Sequence, residues 1–218
     1  MKDTTQKRKI ESKIENIRKS LTSEEKVIFQ KINTPIKIQN FLDTLPFNFE
    51  KDVETYYSPR EVLKNKKAHC LEGALLAALA LWLHGDQPLI LDLKAPKEID
   101  HVIAIYFRNG FYGAISKTNH ACLRFRDPVY KTVRELVLSY YHEYFDNKTG
   151  KKLLMQYSNS INLSKQKIDW TISGEKLDWI VDVIEDAKHY NIVTPKNMKL
   201  LRPADKVERK AGEITEWD

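Results

Sequence analysis

The stretch His69-Cys70-Leu71-Glu72-Gly73-Ala74-Leu75-Leu76-Ala77-Ala78-Leu79-Ala80-Leu81-Trp82-Leu83-His84-Gly85 decides the fold. From Gly73 to Leu83 no position is polar, so a helix built on this segment has no face to offer water and is buried on every side. Gly85 is placed to end it in the left-handed conformation. The apolar run has 11 residues, well short of the roughly 18 to 20 that cross a bilayer. It is therefore a core helix, and no transmembrane segment is expected.

Downstream of this helix the apolar period changes from helical to two. Pro88 to Leu93, His101 to Phe107 and Phe111 to Ser116 read as strands, the last two joined across Arg108-Asn109-Gly110 as a hairpin. Asp127-Pro128 reads as a cap for a long helix from Val129 to Phe145, which Asp146-Asn147-Lys148-Thr149-Gly150 closes. A further strand is expected around Leu153 to Tyr157, and an amphipathic helix over Ser173 to His189 with Leu177, Ile180, Val181 and Ile184 inward.

Upstream, three start signals stand out. Thr22-Ser23-Glu24-Glu25 and Thr34-Pro35 each put a hydroxyl cap before a helix, and Ser58-Pro59-Arg60-Glu61 adds Pro at the first position and Glu three residues after the cap. Residues 3 to 20 alternate charge around Ile10, Ile14 and Ile17, the narrow stripe of a helix docking loosely on the domain or on a partner. Helices first, then a buried helix leading into an antiparallel sheet, is an α+β arrangement. We read residues 1–20 as a charged helical arm, 21–190 as a single α+β domain, and 191–218 as a polar tail, poorly ordered from Pro203 on.

Composition narrows the function. The chain's 36 Lys+Arg and 30 Asp+Glu leave a net +6. The two signs are interspersed, so nucleic acid is an unlikely partner. Met1-Lys2-Asp3-Thr4-Thr5-Gln6-Lys7 leads into more charge, so no secretory signal is read and a cytoplasmic location is expected. Two cysteines in that reducing setting are not expected to pair, and no CxxC suggests a zinc ribbon.

Cys70 opens the buried helix just after the basic Lys64, Lys66 and Lys67. Unpaired backbone N–H groups at a helix start, together with nearby cations, favour thiolate over thiol, which makes a cysteine nucleophilic near neutral pH. Taken by position alone, a small buried thiol is the commoner reading. His101 shifts the balance. It opens a strand in Asp100-His101-Val102, and a strand packed on the buried helix can bring an imidazole beside the helix start.

These residues are similar to the transglutaminase-like branch of papain-type cysteine enzymes. The likeness rests on Ala68-His69-Cys70-Leu71-Glu72-Gly73-Ala74, Asp100-His101-Val102 and Gly113-Ala114-Ile115-Ser116-Lys117. It runs through residues 66–118, and also resembles a group of uncharacterised bacterial transglutaminase-like proteins over most of residues 34–185. The resemblance implies that Cys70 is a nucleophile and His101 a general base, on a transglutaminase-like core. It implies acyl transfer to or hydrolysis of a peptide or small amide or ester through a thioester, as in a protease, amidase or transglutaminase; nothing in the sequence predicts a cofactor or calcium.

The family's third member is an aspartate on the next strand, and Ser116 stands at that position. A hydroxyl can accept the imidazole N–H but carries no charge. If the turn spans Phe107 to Gly110, Ser116 lies opposite His101; a two-residue turn leaves it diagonal on the same face. Asn119 and Asp127 are alternative orienting residues, and loss of catalysis, leaving a binding or scaffold protein on the same fold, is the competing reading.

The remaining candidates carry less. Glu72 is open between a structural ion pair and a site role, and His69 could bond a loop carbonyl. His69, Cys70, Glu72 and His101 supply ligand types, but residues adjacent in sequence seldom share one ion and no HxxxH or HExxH occurs, so no metal is expected. Cys122 reads as structural, and His84, His120, His142 and His189 as surface or capping residues. Arg124 and Arg126 could hold an anion, though bracing the loop against Asp127 or Glu135 is favoured. Oligomeric state is left open.

Overall fold

A computed structural model of the chain describes residues 2–50, 53–96, 99–166 and 169–217, with side chains in the first helix from residue 11. It is α+β. Helices α1 (Lys2–Ser20), α2 (Ser23–Lys31), α3 (Pro35–Asp43) and α4 (Pro59–Asn65) lead to the buried α5 (Cys70–Leu83). Then come β1 (Leu89–Lys94), β2 (His101–Arg108), β3 (Phe111–Ile115), β4 (Arg126–Tyr130) and α6 (Val133–Tyr141). The chain continues through β5 (Gln156–Ser158), β6 (Ile161–Asn162), α7 (Asp178–Glu185), β7 (His189–Asn191), α8 (Pro195–Met198) and α9 (Lys206–Gly212).

The strands form one antiparallel sheet in the order β4-β3-β2-β1-β5-β7, with β6 also on β1. Alternation along β2 divides the core. Val102, Ala104 and Tyr106 share a cluster with α5, while Ile103 and Ile105 pack with Leu136, Val137 and Tyr140 of α6. The sheet is thus sandwiched between two helices, each facing one side chain set. Thirteen residues of α5, Leu71 to Leu83, are buried, as an all-apolar helix requires. Among the described residues no helix is long and apolar enough to cross a membrane.

The caps fall where the sequence signals them. Thr22 and Glu25 form a capping box, and Thr34 and Ser58 each accept an N–H before a Pro at the first helical position. The β2–β3 turn has two residues, Asn109 and Gly110, both at positive φ (51° and 90°), with Arg108 paired to Phe111. This is the mirror-image turn that matches strand twist. Continuing its register past Ala104↔Ile115 sets Ser116 across from Ile103, diagonal to His101 on the same face.

Several expectations fail. The long helix from Val129 to Phe145 is instead strand β4 followed by the shorter α6. Arg126–Tyr130 alternates in exposure and pairs with β3 at the sheet edge, where Pro128 costs no ladder bond. The true cap is Thr132, which accepts the Glu135 N–H at 3.1 Å. The helix expected over Ser173 to His189 is confined to Asp178–Glu185, and His189 belongs to β7. The strand expected at Leu153 to Tyr157 is shorter and later, at Gln156–Ser158.

The polar tail is structured. Asp205 and Glu208 make a capping box for α9, and beyond it Thr215 bridges to His120 while the Trp217 N–H donates to Asn119 Oδ1 at 2.9 Å. At the other end, α1 is tied down rather than loosely docked. Ile17 is in the core, Arg18 donates to the Leu83 carbonyl at 2.8 Å, and Lys13 donates to the carbonyls of Ser164 and Gln166. Ile14 packs against the same core cluster, and the side chain of Ile10 lies outside the described residues.

Candidate active site

The start of α5 is fixed by the strand-like segment before it. Ala68 and residues 46–48 pair through Asn48 N–H to Ala68 O (3.1 Å) and Ala68 N–H to Pro46 O (3.2 Å). His69 is the N-cap, its Nδ1 accepting the Leu71 N–H at 3.2 Å, so it does not bond a loop carbonyl. The first N–H groups of a helix have no intrahelical acceptor. With Leu71 so capped, the Cys70 N–H is the donor left beside the sulfur.

Glu72 is fully buried and structural in its contacts. Its carboxylate accepts from Thr55 Oγ1 (2.6 Å), the Tyr57 N–H (2.9 Å), the His69 N–H (2.9 Å) and Asn48 Nδ2 (3.1 Å). Four donors on one carboxylate tie Asn48, Thr55 and Tyr57 to the start of α5 and offset the cost of burying the charge. One oxygen also lies 3.4 Å from His69 Nε2, and Glu50 Oε1 lies at 3.4 Å from the same nitrogen. Glu50, His69 and Glu72 bring one ligand-type atom each within 4.8 Å. The lone pairs of Glu72 already face N–H and O–H donors, so this is the environment of a cation on His69 rather than of a metal ion.

Cys70 is partly exposed and lines a cleft of about 370 Å³ with His101, Lys117, Thr118, Asn119 and Tyr144 among its walls. Burial alone raises its pKa. Hydrogen bonds from the His101 and His69 side chains, and the charge on both rings, outweigh that and bring the thiol down to about 5. The two residues the sequence singles out therefore line the same cleft at the end of the sheet, although Ile103 and Ile105 on the same strand face α6.

Ser116 is the partner of His101, and neither fallback residue is. His101 Nε2 lies 2.8 Å from Ser116 Oγ, and that hydroxyl donates its own proton to the Leu123 carbonyl at 2.5 Å. Ser116 can then only accept from His101, which puts a proton on Nε2 and leaves Nδ1 for the thiol. Asn119 is occupied by the C-terminal segment, through Trp217 and the Glu216 N–H to its carbonyl. Asp127 is exposed on the edge strand β4.

Two residues the sequence reading passed over hold Ser116 in place. Gln39 of α3 donates to the Ser116 carbonyl and accepts its N–H, both at 2.9 Å. Lys117 is buried, and its Nζ donates to the carbonyls of Leu42 (3.1 Å) and Leu45. Burial pulls its pKa down to about 8. A Gln on the apolar face of a helix, at Gln39, was the available signal.

Other assignments are corrected or refined. Cys122 lines the same cleft, but burial raises its pKa, so it lacks the environment of Cys70. His84 is a helix C-cap bonded to Phe29 O, and His142 is exposed. His189 is not a surface residue. It pairs with the buried Asp92 at 3.0 Å, whose carboxyl burial pushes up to about 6 against the lowering effect of that bond. His120 lines the cleft. Arg124 pairs with Glu216 and Arg126 with Glu143, in place of Asp127 and Glu135.

A scan of the chain against protein-family models finds no match, and a search of curated proteins finds no relative. The functional reading rests on residues and geometry.

Proposed function

We propose that the protein is a cysteine-dependent acyltransferase or hydrolase acting on amides or esters, on a transglutaminase-like core. The observation that carries this is the 2.8 Å bond of Ser116 to His101 in a cleft that Cys70 also lines, where the neighbouring imidazoles bring the thiol pKa down to about 5.

In this reading the Cys70 sulfur attacks the acyl carbon while its proton resides on His101 Nδ1. The tetrahedral oxyanion is met by the Cys70 N–H at the positive end of α5. The C–N or C–O bond breaks as His101 returns its proton to the leaving atom, giving a thioester. Water or an amine then gives up a proton to His101 as it attacks, and the sulfur departs.

The test is exposure to p-nitrophenyl acetate followed by intact and peptide mass measurement. Acetylation of Cys70 that is lost in Cys70→Ser and slowed in His101→Ala is the expected result. No adduct on Cys70 in the wild type would end the proposal. A second reading, a binding protein that has kept the fold without the chemistry, is favoured by the uncharged Ser116. It predicts equal, slow labelling of Cys70 and Cys122 by iodoacetamide at neutral pH, whereas the enzyme labels Cys70 first.

A further inference from the structure

We propose that residues 119–121 are a peptide-docking edge of the cleft, which the chain's own residues 214–217 occupy in this structure and which an extended peptide carrying an acidic residue followed by an aromatic one occupies in exchange. The inference rests on the acyl-transfer reading and deepens it, since it makes the substrate a peptide rather than a small amide or ester.

The pairing is that of an added strand. The Ala121 N–H donates to the Ile214 carbonyl and the Glu216 N–H to the Asn119 carbonyl, both at 2.9 Å, on either side of an antiparallel bridge between His120 and Thr215. Main-chain bonds of this kind accept any sequence, and side-chain sites beside them choose among sequences. Ile214 and Thr215 are exposed, so those positions are held by the main chain. The next two are read by side chains. Arg124 Nη2 holds the Glu216 carboxylate at 2.7 Å, Asn119 Oδ1 accepts the Trp217 N–H at 2.9 Å, and the Lys117 ammonium lies 5.8 Å from the centre of the indole ring, within reach of a cation–π contact.

The edge belongs to the site. Thr118, Asn119 and His120 line the cleft with Cys70 and His101, so a peptide paired to this edge lies along the cleft's rim. Its polarity is set as well. As the docked segment runs from Ile214 to Trp217, its partners run from Ala121 back to Lys117, the neighbour of Ser116. Residues that follow the aromatic in a longer peptide are thereby delivered toward Ser116 and His101. The present occupant is releasable, because the Arg124–Glu216 pair is 34% and 39% exposed and such a pair is weak and screened by salt.

The probe is a fluorescein-labelled, amidated peptide copying residues 213–217, read by anisotropy against the full chain. Glu216→Pro removes both the N–H and the carboxylate that hold the segment, and frees the edge. The peptide is expected to bind this variant at least about tenfold more tightly than the wild type, where the tethered segment competes at high effective concentration. Changing the acidic residue next to the peptide's tryptophan to Gln is expected to weaken binding about two- to fivefold. A version lengthened by four residues past the tryptophan should slow alkylation of Cys70 in the variant.

No binding to Glu216→Pro at millimolar peptide, or equal binding to variant and wild type, would overturn the inference and leave residues 214–217 as a fixed part of the fold. A lengthened peptide that binds without protecting Cys70 would overturn its delivery to the site. If Glu216→Pro does not fold, hydrogen exchange in the wild type decides alone: Glu216 and Trp217 amides that exchange faster as peptide is added support displacement, and amides unmoved by it overturn it. Peptide exchange combined with no acyl adduct on Cys70 would overturn the acyl-transfer reading while the docking edge stands, and an acyl adduct without peptide exchange would do the reverse.

Discussion

Gln39 and Ser116 exchange two hydrogen bonds of 2.9 Å, side-chain amide to backbone, across elements far apart in the chain. The amide acts as a short piece of neighbouring strand and completes the pairing of Ser116 where β3 has ended. Gln39→Ala leaves a buried N–H and a buried C=O without partners, a loss of about 2 to 4 kcal/mol. Urea unfolding should register it. The alkylation rate of Cys70 should fall as well, because Ser116 then no longer holds His101. A variant as stable as the wild type would show that water replaces the amide.

Ser116→Ala removes the acceptor for His101 Nε2–H and the donor for the Leu123 carbonyl. The rate of Cys70 acylation is expected to drop about 5- to 10-fold, the scale of one neutral hydrogen bond. Ser116→Asp should not rescue it. The new carboxylate would face the Leu123 oxygen, now 2.5 Å from the hydroxyl, with no proton to share between them. An Asp variant faster than the wild type would show that charge behind His101 limits the rate.

The pH dependence of stability has a definite shape at this site. Cys70 titrates at about 5 in the fold and at about 8.5 when unfolded, so between those values the unfolded chain holds more protons and stability rises with pH. His69 titrates at about 10 in the fold and at about 6.5 unfolded, so between those values the folded chain holds more and stability falls. The sum rises from about pH 5 to 6.5, is level to about 8.5 and declines toward 10. The stability of the wild type minus that of a Cys70→Ser, His69→Asn double variant, measured by urea at a series of pH values, should trace this plateau. A difference that changes monotonically would contradict the paired shifts.

Gly73 sits under Lys117, whose Cβ and Cγ occupy the space a side chain there would need. Gly73→Ala forces α5 and the end of β3 apart, at a cost of about 1 to 3 kcal/mol. The displaced strand end carries Ser116 with it, so a lower melting temperature and slower alkylation should appear together. Loss of stability with full alkylation would mean that Lys117, not the strand, gives way.

Much of this was legible. The all-apolar segment required a buried helix, Arg108-Asn109-Gly110 marked a hairpin while leaving its turn length open, and Cys70 and His101 were singled out by residue type and placement. What was missed depended on long-range pairing. Arg126–Tyr130 looked like the start of a helix because Asp127-Pro128 is a good cap, yet sheet pairing outweighed local preference. Glu72 and His69 could not be assigned because their partners, Asn48, Thr55 and Glu50, reach them through a loop with no pattern of its own. Gln39 was one polar residue on an apolar helix face.

The docking of residues 214–217 makes Trp217 an optical probe. Trp82 and Trp170 stack on each other at 6.2 Å within the core, whereas Trp217 lies with the Lys117 ammonium 5.8 Å from its ring and its backbone bonded to Asn119, which lines the cleft. A positive charge close to an indole perturbs its excited state, so any occupant of the cleft that shifts Lys117 or Asn119 changes the emission of this one tryptophan. Ligands can be screened by intrinsic fluorescence, without a substrate in hand, against a Trp217→Phe variant that should be blind to them.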